Sequence, residues 1–147
     1  MDNLLLQAGL RLINKYNAVT KMPRYYGTDV LMYPAEIHVI DAIGNNKNVT
    51  ATGLAGQLGI TKGGISQSVA KLYEKELISK SAGTGKNEIY LHLTDKGRTA
   101  YEGHKRLHMH MNDRINGMIA DMDDNTKEEI RKLMAALEEE LSLIGDI

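Results

Sequence analysis

The sequence contains no cysteine. Disulfides, thiolate metal sites and redox-sensing thiols are therefore excluded. It has only two prolines, Pro23 and Pro34, and both fall where they would bound helices rather than interrupt them. No apolar run approaches the length of a bilayer span. The opening Met1-Asp2-Asn3 lacks the basic segment of a secretory signal. The expectation is a protein kept in the cytoplasm, with no membrane partner. Catalytic signatures are also missing. Gly59-Ile60-Thr61-Lys62-Gly63-Gly64 has the wrong spacing for a phosphate-binding loop. No dinucleotide fingerprint and no Ser–His–Asp arrangement is suggested, so an enzyme is not expected.

What is present is ordinary globular material. The 147 residues are 42% hydrophobic and 25% charged, enough for one domain with a proper core. The net charge of −1 hides an uneven distribution. Residues 50–98 carry seven Lys/Arg against four acids, a net of +3, whereas residues 121–147 carry nine acids against three bases, a net of −6. A basic middle and an acidic tail suit one anion-binding face.

The patterning predicts a fold that is mostly α with a small β-hairpin wing. A first helix runs from Asn3 to Lys21, with Leu4, Leu5, Leu6, Leu10, Leu12 and Ile13 on more than one face, and Met22-Pro23 ends it. Pro34 opens a short helix that Gly44 should stop near Ile43. Thr50 caps another over about 51–58, closed by Gly59, and Thr61 caps a third from Lys62 to about Lys75. Two short helices joined so tightly form a helix-turn-helix. Leu77–Ser81 and Glu88–Leu93 then read as two strands around a Gly-rich turn. A long helix follows Thr94 to about Asp121, with Met111, Ile115, Met118 and Met122 on one side. A last helix, Asn125 to Ile144, carries Ile130, Leu133, Met134, Leu137, Leu141 and Ile144 as a stripe. Apolar stripes this long on terminal helices imply a second subunit, hence a homodimer.

In the helix from Lys62, residues Ile65, Val69 and Leu72 share the face that must meet the core. Gly63, Ser66, Gln67, Ala70, Lys71 and Glu74 lie opposite. Small and hydrogen-bonding residues at the N-terminal half are what a base-reading helix needs. Gln67 suits adenine and Ser66 almost any base. Thr61, Lys62 and Lys71 suit phosphate, aided by the positive end of the helix dipole. The competing explanation is an amphipathic helix with a solvated face, and the hairpin behind it argues against that.

The run Leu54-Ala55-Gly56-Gln57-Leu58-Gly59-Ile60-Thr61-Lys62-Gly63-Gly64-Ile65-Ser66-Gln67-Ser68-Val69-Ala70-Lys71-Leu72, then Leu77-Ile78, then Leu91-His92-Leu93-Thr94-Asp95-Lys96-Gly97 strongly resembles the MarR family of dimeric winged-helix regulators. The motifs cover about residues 30–110. The resemblance implies a single domain over 1–147, with residues 3–21 and 99–147 as dimerisation helices around a winged helix-turn-helix lobe at 34–98. It further implies a sequence-specific transcriptional regulator of repressor type, bound as a homodimer to pseudo-palindromic double-stranded DNA and controlled by an effector. The alternative is a winged-helix module that binds protein, which the +3 charge of the motif disfavours. Two positions depart from the family. Glu76 stands where glycine is frequent, and a non-Gly residue forced into the left-handed conformation there would cost ~1 kcal/mol, so a different helix end is expected. The wing tip, Gly83-Thr84-Gly85-Lys86, has no arginine. Lys86 is its basic candidate, and strong minor-groove insertion is not expected.

His104 and His108 lie four apart on the long helix, a spacing that lets two imidazoles reach one metal. Lys105 follows His104 where a metalloprotease motif would have Glu, so hydrolysis is not suggested. The zinc-sensing branch of the family uses such a pair with one histidine from the short helix, and His38, His104 and His108 match those positions. The resemblance thus implies Zn²⁺ or a similar divalent ion as effector. The carboxylate that completes those sites has no clear counterpart, since Gly103 and Thr20 stand near its place; Glu36, Glu102 or water would have to substitute. The alternative effector is a small amphipathic or phenolic anion in the crevice between the dimer helices and the DNA-binding lobe. Tyr16, Tyr25, Tyr26 and Tyr33 lie near enough in sequence to line it.

Overall fold

The order of elements follows the capping chemistry. The computed structural model describes residues 4–145: α1 (Leu4–Thr20), α2 (Pro34–Asn45), α3 (Ala51–Leu58), α4 (Lys62–Glu74), β1 (Ile78–Ala82), β2 (Ile89–Leu93), α5 (Asp95–Ala120) and α6 (Asp124–Gly145). The expected helix start at Asn3 and the side chains of Leu5, Leu6, Leu141 and Ile144 lie outside what is described. Thr50 Oγ1 accepts from the Gly53 amide and Thr61 Oγ1 from the Gly64 amide, both at 3.1 Å. Each cap satisfies one of the amides that a helix start leaves without a partner. Gly59, at φ +63°, ends α3 in the left-handed conformation, so α3 and α4 are joined by a tight turn.

The chain divides into two units, residues 1–106 and 107–147. The first holds the core. Met32, Ile37, Val39, Ile40, Leu54, Ile65, Leu72, Leu77 and Ile78 are essentially shut off from solvent. They come from α2, α3, α4 and β1, so the helix-turn-helix and the root of the wing share one apolar cluster. β1 and β2 pair antiparallel, from Ile78 opposite Leu93 to Ala82 opposite Ile89. Val49 adds a bridge to Leu91 on the free side of β2. The second unit contains the end of α5 and α6. Asp123 caps α6, its carboxylate accepting from the Thr126 amide and hydroxyl at 2.8 Å each. These bonds, the amide first, hold the Asp123 carboxyl below its ordinary range.

Two expectations are corrected. Helix α2 does not stop before Gly44 but runs on to Asn45. The glycine serves packing instead, because a Cβ there would meet the Tyr101 ring at 2.5 Å. Nor does α4 avoid the left-handed ending, for Glu76 takes φ +59°. The Leu77 amide donates to Leu72 O at 2.9 Å and the Glu76 amide to Tyr73 O at 3.0 Å. This is the double bond pattern that normally favours glycine at the left-handed residue. Thr94 Oγ1 donates to Glu76 O at 2.7 Å, and Lys96 Nζ lies 3.5 Å from the Glu76 carboxylate. The tertiary bonds hold the conformation and the strain remains. Glu76→Gly should therefore stabilise the protein by about 1 kcal/mol. An unchanged midpoint in urea denaturation would show that the Lys96 contact offsets the strain.

Candidate nucleic-acid interface

Helix α4 turns its two sides to different surroundings. Ile65, Val69 and Leu72 are buried, while Lys62, Gly63, Ser66, Gln67, Ala70 and Lys71 are exposed, as is Thr61 at the cap. A Cβ on Gly63 would meet nothing within 4 Å, so no packing demand explains that glycine. Ser66 Oγ donates back to Lys62 O at 2.8 Å, and it must rotate to meet a base. The outward side carries two lysines, an amide and hydroxyls beside the N-terminal end of the dipole, a combination suited to DNA phosphate and base edges.

The C-terminal end of α4 is pinned from beneath. Lys75 Nζ lies 2.6 Å from Glu36 Oε1 and donates to Leu31 O at 3.0 Å. Glu36 is buried, and its other oxygen accepts the Tyr33 amide at 2.8 Å, closing the start of α2. One carboxylate thus ties the start of α2 to the end of α4.

The wing tip is organised by Glu88. Its carboxylate accepts from the Gly85 amide at 2.9 Å and from Thr84 Oγ1 at 3.4 Å, while Gly83 N donates to Glu88 O at 2.7 Å. The Gly85 amide chiefly, then Tyr90, holds the Glu88 carboxyl below its ordinary range. Lys86 is exposed on this tip. Near the root, Lys80 Nζ sits 4.6 Å from the centre of the Tyr73 ring.

The structure places His38 near His104. The His38 and His104 rings are 6.1 Å apart between centroids. His104 is buried, meets Tyr26 edge-on at 5.6 Å, and places Nδ1 3.5 Å from Asp41 Oδ1. Asp41 also accepts from Asn45 Nδ2 at 3.0 Å, and Asn45 Oδ1 accepts from the Tyr101 hydroxyl at 2.7 Å. Burial pushes the Tyr26 phenol above its ordinary value. His108, four residues along α5, is exposed and belongs to the second unit. Among the described residues, no group of three or more His, Asp or Glu side chains is gathered to hold a metal ion. Zinc takes at least three protein ligands in most sites, so His38 and His104 do not by themselves complete one. Tyr16, Tyr25 and Tyr33 are exposed.

Residues 32–86 match the model of the MarR family. They span α2, the helix-turn-helix and the wing up to its tip. The HTH-type transcriptional regulator PchR of Bacillus subtilis (strain 168) is 31% identical over 104 residues, covering 65% of this chain. The matched region spans 62% of that relative's length. Among solved structures, Lactococcus lactis ZitR in complex with DNA superposes with a TM-score of 0.74 at 21% identity, covering 96% of this chain and 99% of that one. Streptococcus pneumoniae FabT in complex with DNA superposes with a TM-score of 0.66 at 25% identity, covering 95% and 99%.

The structure also accounts for a carboxylate that the sequence lacks at Gly103. At Gly103, where one was sought, a Cβ would stand 2.1 Å from the Tyr26 carbonyl oxygen, so that place is filled by backbone. Glu36 is committed to Lys75 and the Tyr33 amide. Glu102 is exposed, 4.0 Å from Arg106. The carboxylate that does stand at His104 is Asp41, which sequence spacing did not select. Glu88 and the Glu36–Lys75 pair were missed as well. Tyr33-x-x-Glu36 has the spacing of a helix start, but nothing local marks Lys75, 39 residues further on, as the partner of that carboxylate.

Proposed function

We propose that this chain is a homodimeric, sequence-specific transcriptional regulator that lays α4 in the major groove of double-stranded DNA. The observation that carries the reading is the Thr61-capped helix with Lys62, Gly63, Ser66, Gln67 and Lys71 all exposed on its outward side. The named relatives support it, being called transcriptional regulators or solved with DNA. Dimerisation is supported by large apolar side chains left in the open, such as Leu12 at 66% and Met118 at 67% exposure, which a second copy would cover. Among the described residues no helix is long and apolar enough to cross a membrane. The protein acts in the cytoplasm, and Lys86 reaches DNA from the wing.

Lys71→Ala should weaken binding to every duplex alike and reduce the slope of log affinity against log salt by about one. Gln67→Ala should instead relax the preference at one base pair, by about 1–3 kcal/mol. Fluorescence anisotropy with a selected operator and a scrambled duplex reads both. An unaltered salt slope and an unaltered base preference would overturn the reading.

The effector is proposed as a divalent ion such as Zn²⁺. The approach of the His38 ring to the His104 ring supports it over an organic anion among the exposed tyrosines. His38→Ala and His104→Ala should each abolish saturable Zn²⁺ binding in calorimetry and leave metal-free DNA binding intact. The helical spacing that selects His108 is the reason to include His108→Ala. Saturable binding that survives all three substitutions would place the ion elsewhere.

A further inference from the structure

The loop between β1 and β2, residues 83–88, is built around one side chain. The Glu88 carboxylate crosses it, accepting from the Gly85 amide at 2.9 Å and from Thr84 Oγ1 at 3.4 Å. The backbone closes the same loop, Gly83 N donating to Glu88 O at 2.7 Å and Glu88 N to Gly85 O at 3.2 Å. Thr84 Oγ1 also lies 3.1 Å from the Tyr90 hydroxyl on β2. The two glycines are there for space, since neither takes a left-handed φ. A Cβ on Gly83 would stand 2.6 Å from Glu88 Cγ, and one on Gly85 3.3 Å from Glu88 Oε2. A Gly-Thr-Gly segment is ordinarily among the loosest in a chain, but here the glycines admit the acid that fixes it. Lys86 and Asn87 occupy the apex. Both are exposed, and among the described residues neither side chain enters a hydrogen bond or ion pair. Asn87 takes φ +64°, a conformation that asparagine tolerates better than most residues.

We infer that Glu88 is a positioning residue for DNA binding, holding the tip in the shape that presents the Lys86 ammonium and the Asn87 amide to backbone phosphates. This role rests on the DNA binding proposed above, and it adds Asn87 and Glu88 to the residues that serve it. Lysine and asparagine both donate to phosphate oxygens, and such contacts set the register of a protein on the duplex without reading sequence. Order made in advance matters because association otherwise bears the entropy of ordering the loop, roughly tenfold in affinity for each residue's backbone that is fixed. Glu88 is not itself a contact, because a carboxylate repels phosphate. Its effect on affinity is the gain in order less that repulsion, and substitution separates the two.

The test is fluorescence anisotropy with an operator duplex selected from a random pool, beside NMR relaxation of the Gly85 amide in the full chain. Glu88→Ala should weaken binding about tenfold and lower the Gly85 order parameter from about 0.85 to below about 0.6. Glu88→Gln, which keeps an oxygen for that amide and removes the charge, should recover most of the affinity and the order. Lys86→Ala should reduce the salt slope by about one. Asn87→Ala should weaken binding and leave the slope as it is, since an amide releases no counterion. In the Lys86→Ala/Asn87→Ala background, Glu88→Ala should change affinity by less than about twofold. A tenfold loss that persists in that background would overturn the inference as general damage to the fold. So would a disordered tip that binds DNA as well as before, or tighter binding by Glu88→Ala, which would leave Glu88 as a repulsive charge only. Lys71→Ala distinguishes the tip from α4. If it flattens the salt slope while Lys86→Ala does not, the tip is overturned and α4 stands; if neither does, both fall.

Discussion

Gly97→Ala should destabilise the protein by about 3 kcal/mol, the upper end of what overpacking usually costs. In a helix, Gly to Ala ordinarily helps by roughly 1 kcal/mol, so the sign is the test. Here a Cβ would stand 1.9 Å from the Leu77 carbonyl oxygen and 3.0 Å from its carbon. Both groups are backbone, and no rotamer change relieves the clash. The junction is also interlocked. Leu77 O accepts the Thr94 amide at 3.2 Å, Thr94 Oγ1 donates to Glu76 O at 2.7 Å and accepts the Gly97 amide at 3.1 Å. Withdrawing α5 from Leu77 would break these bonds. For a chain of this length the loss corresponds to a fall in Tm of roughly 6–12 °C, read by circular dichroism. A rise in Tm would show that the wing root gives way freely.

Lys75→Met should cost about 3 kcal/mol. Removing the ammonium leaves the Glu36 carboxylate, whose side chain is 6% exposed, with the Tyr33 amide as its remaining described hydrogen bond. Breaking a buried pair from one side typically costs about 3–5 kcal/mol. The Lys75 side chain keeps 29% exposure, so water reaches the site and the lower figure applies. The double variant Glu36→Gln/Lys75→Met should recover part of the loss, because no charge is then left buried. Urea denaturation of the two single variants and the double one measures the coupling directly. Additive losses within about 0.5 kcal/mol would mean that the pair contributes nothing as a pair.

Much of the fold was legible because its signals are local. A cap at Thr50 or Thr61 needs only an oxygen and an amide three residues on, and both bonds are present. The period that places Ile65, Val69 and Leu72 on one side of α4 belongs to any helix, and all three are buried. The first strand is displaced by one residue, to Ile78–Ala82, and the second starts one residue late, at Ile89, since the Glu88 carboxylate folds into the tip. Gly44 misled because a glycine near a helix end suggests a stop, whereas here the Tyr101 ring requires the space. Glu76 misled in the opposite way. Its local cost is real, yet bonds from Thr94 and Lys96, 18 and 20 positions on, hold it.

The sequence by itself determined the helices, the caps at Thr50 and Thr61 and the outward residues of α4, because each depends on groups within about one helical turn of one another; the hairpin was legible from two short strand-like runs around a Gly-rich turn. Only the tertiary structure decided which charges are neutralised and which histidines meet. Glu36 finds Lys75 across 39 residues, and the exposed His38 finds the buried His104 across 66. Contacts of that kind depend on how apolar faces close over one another, and a burial-driven packing is not directional. It leaves no periodic mark on the polar residues it happens to bring together.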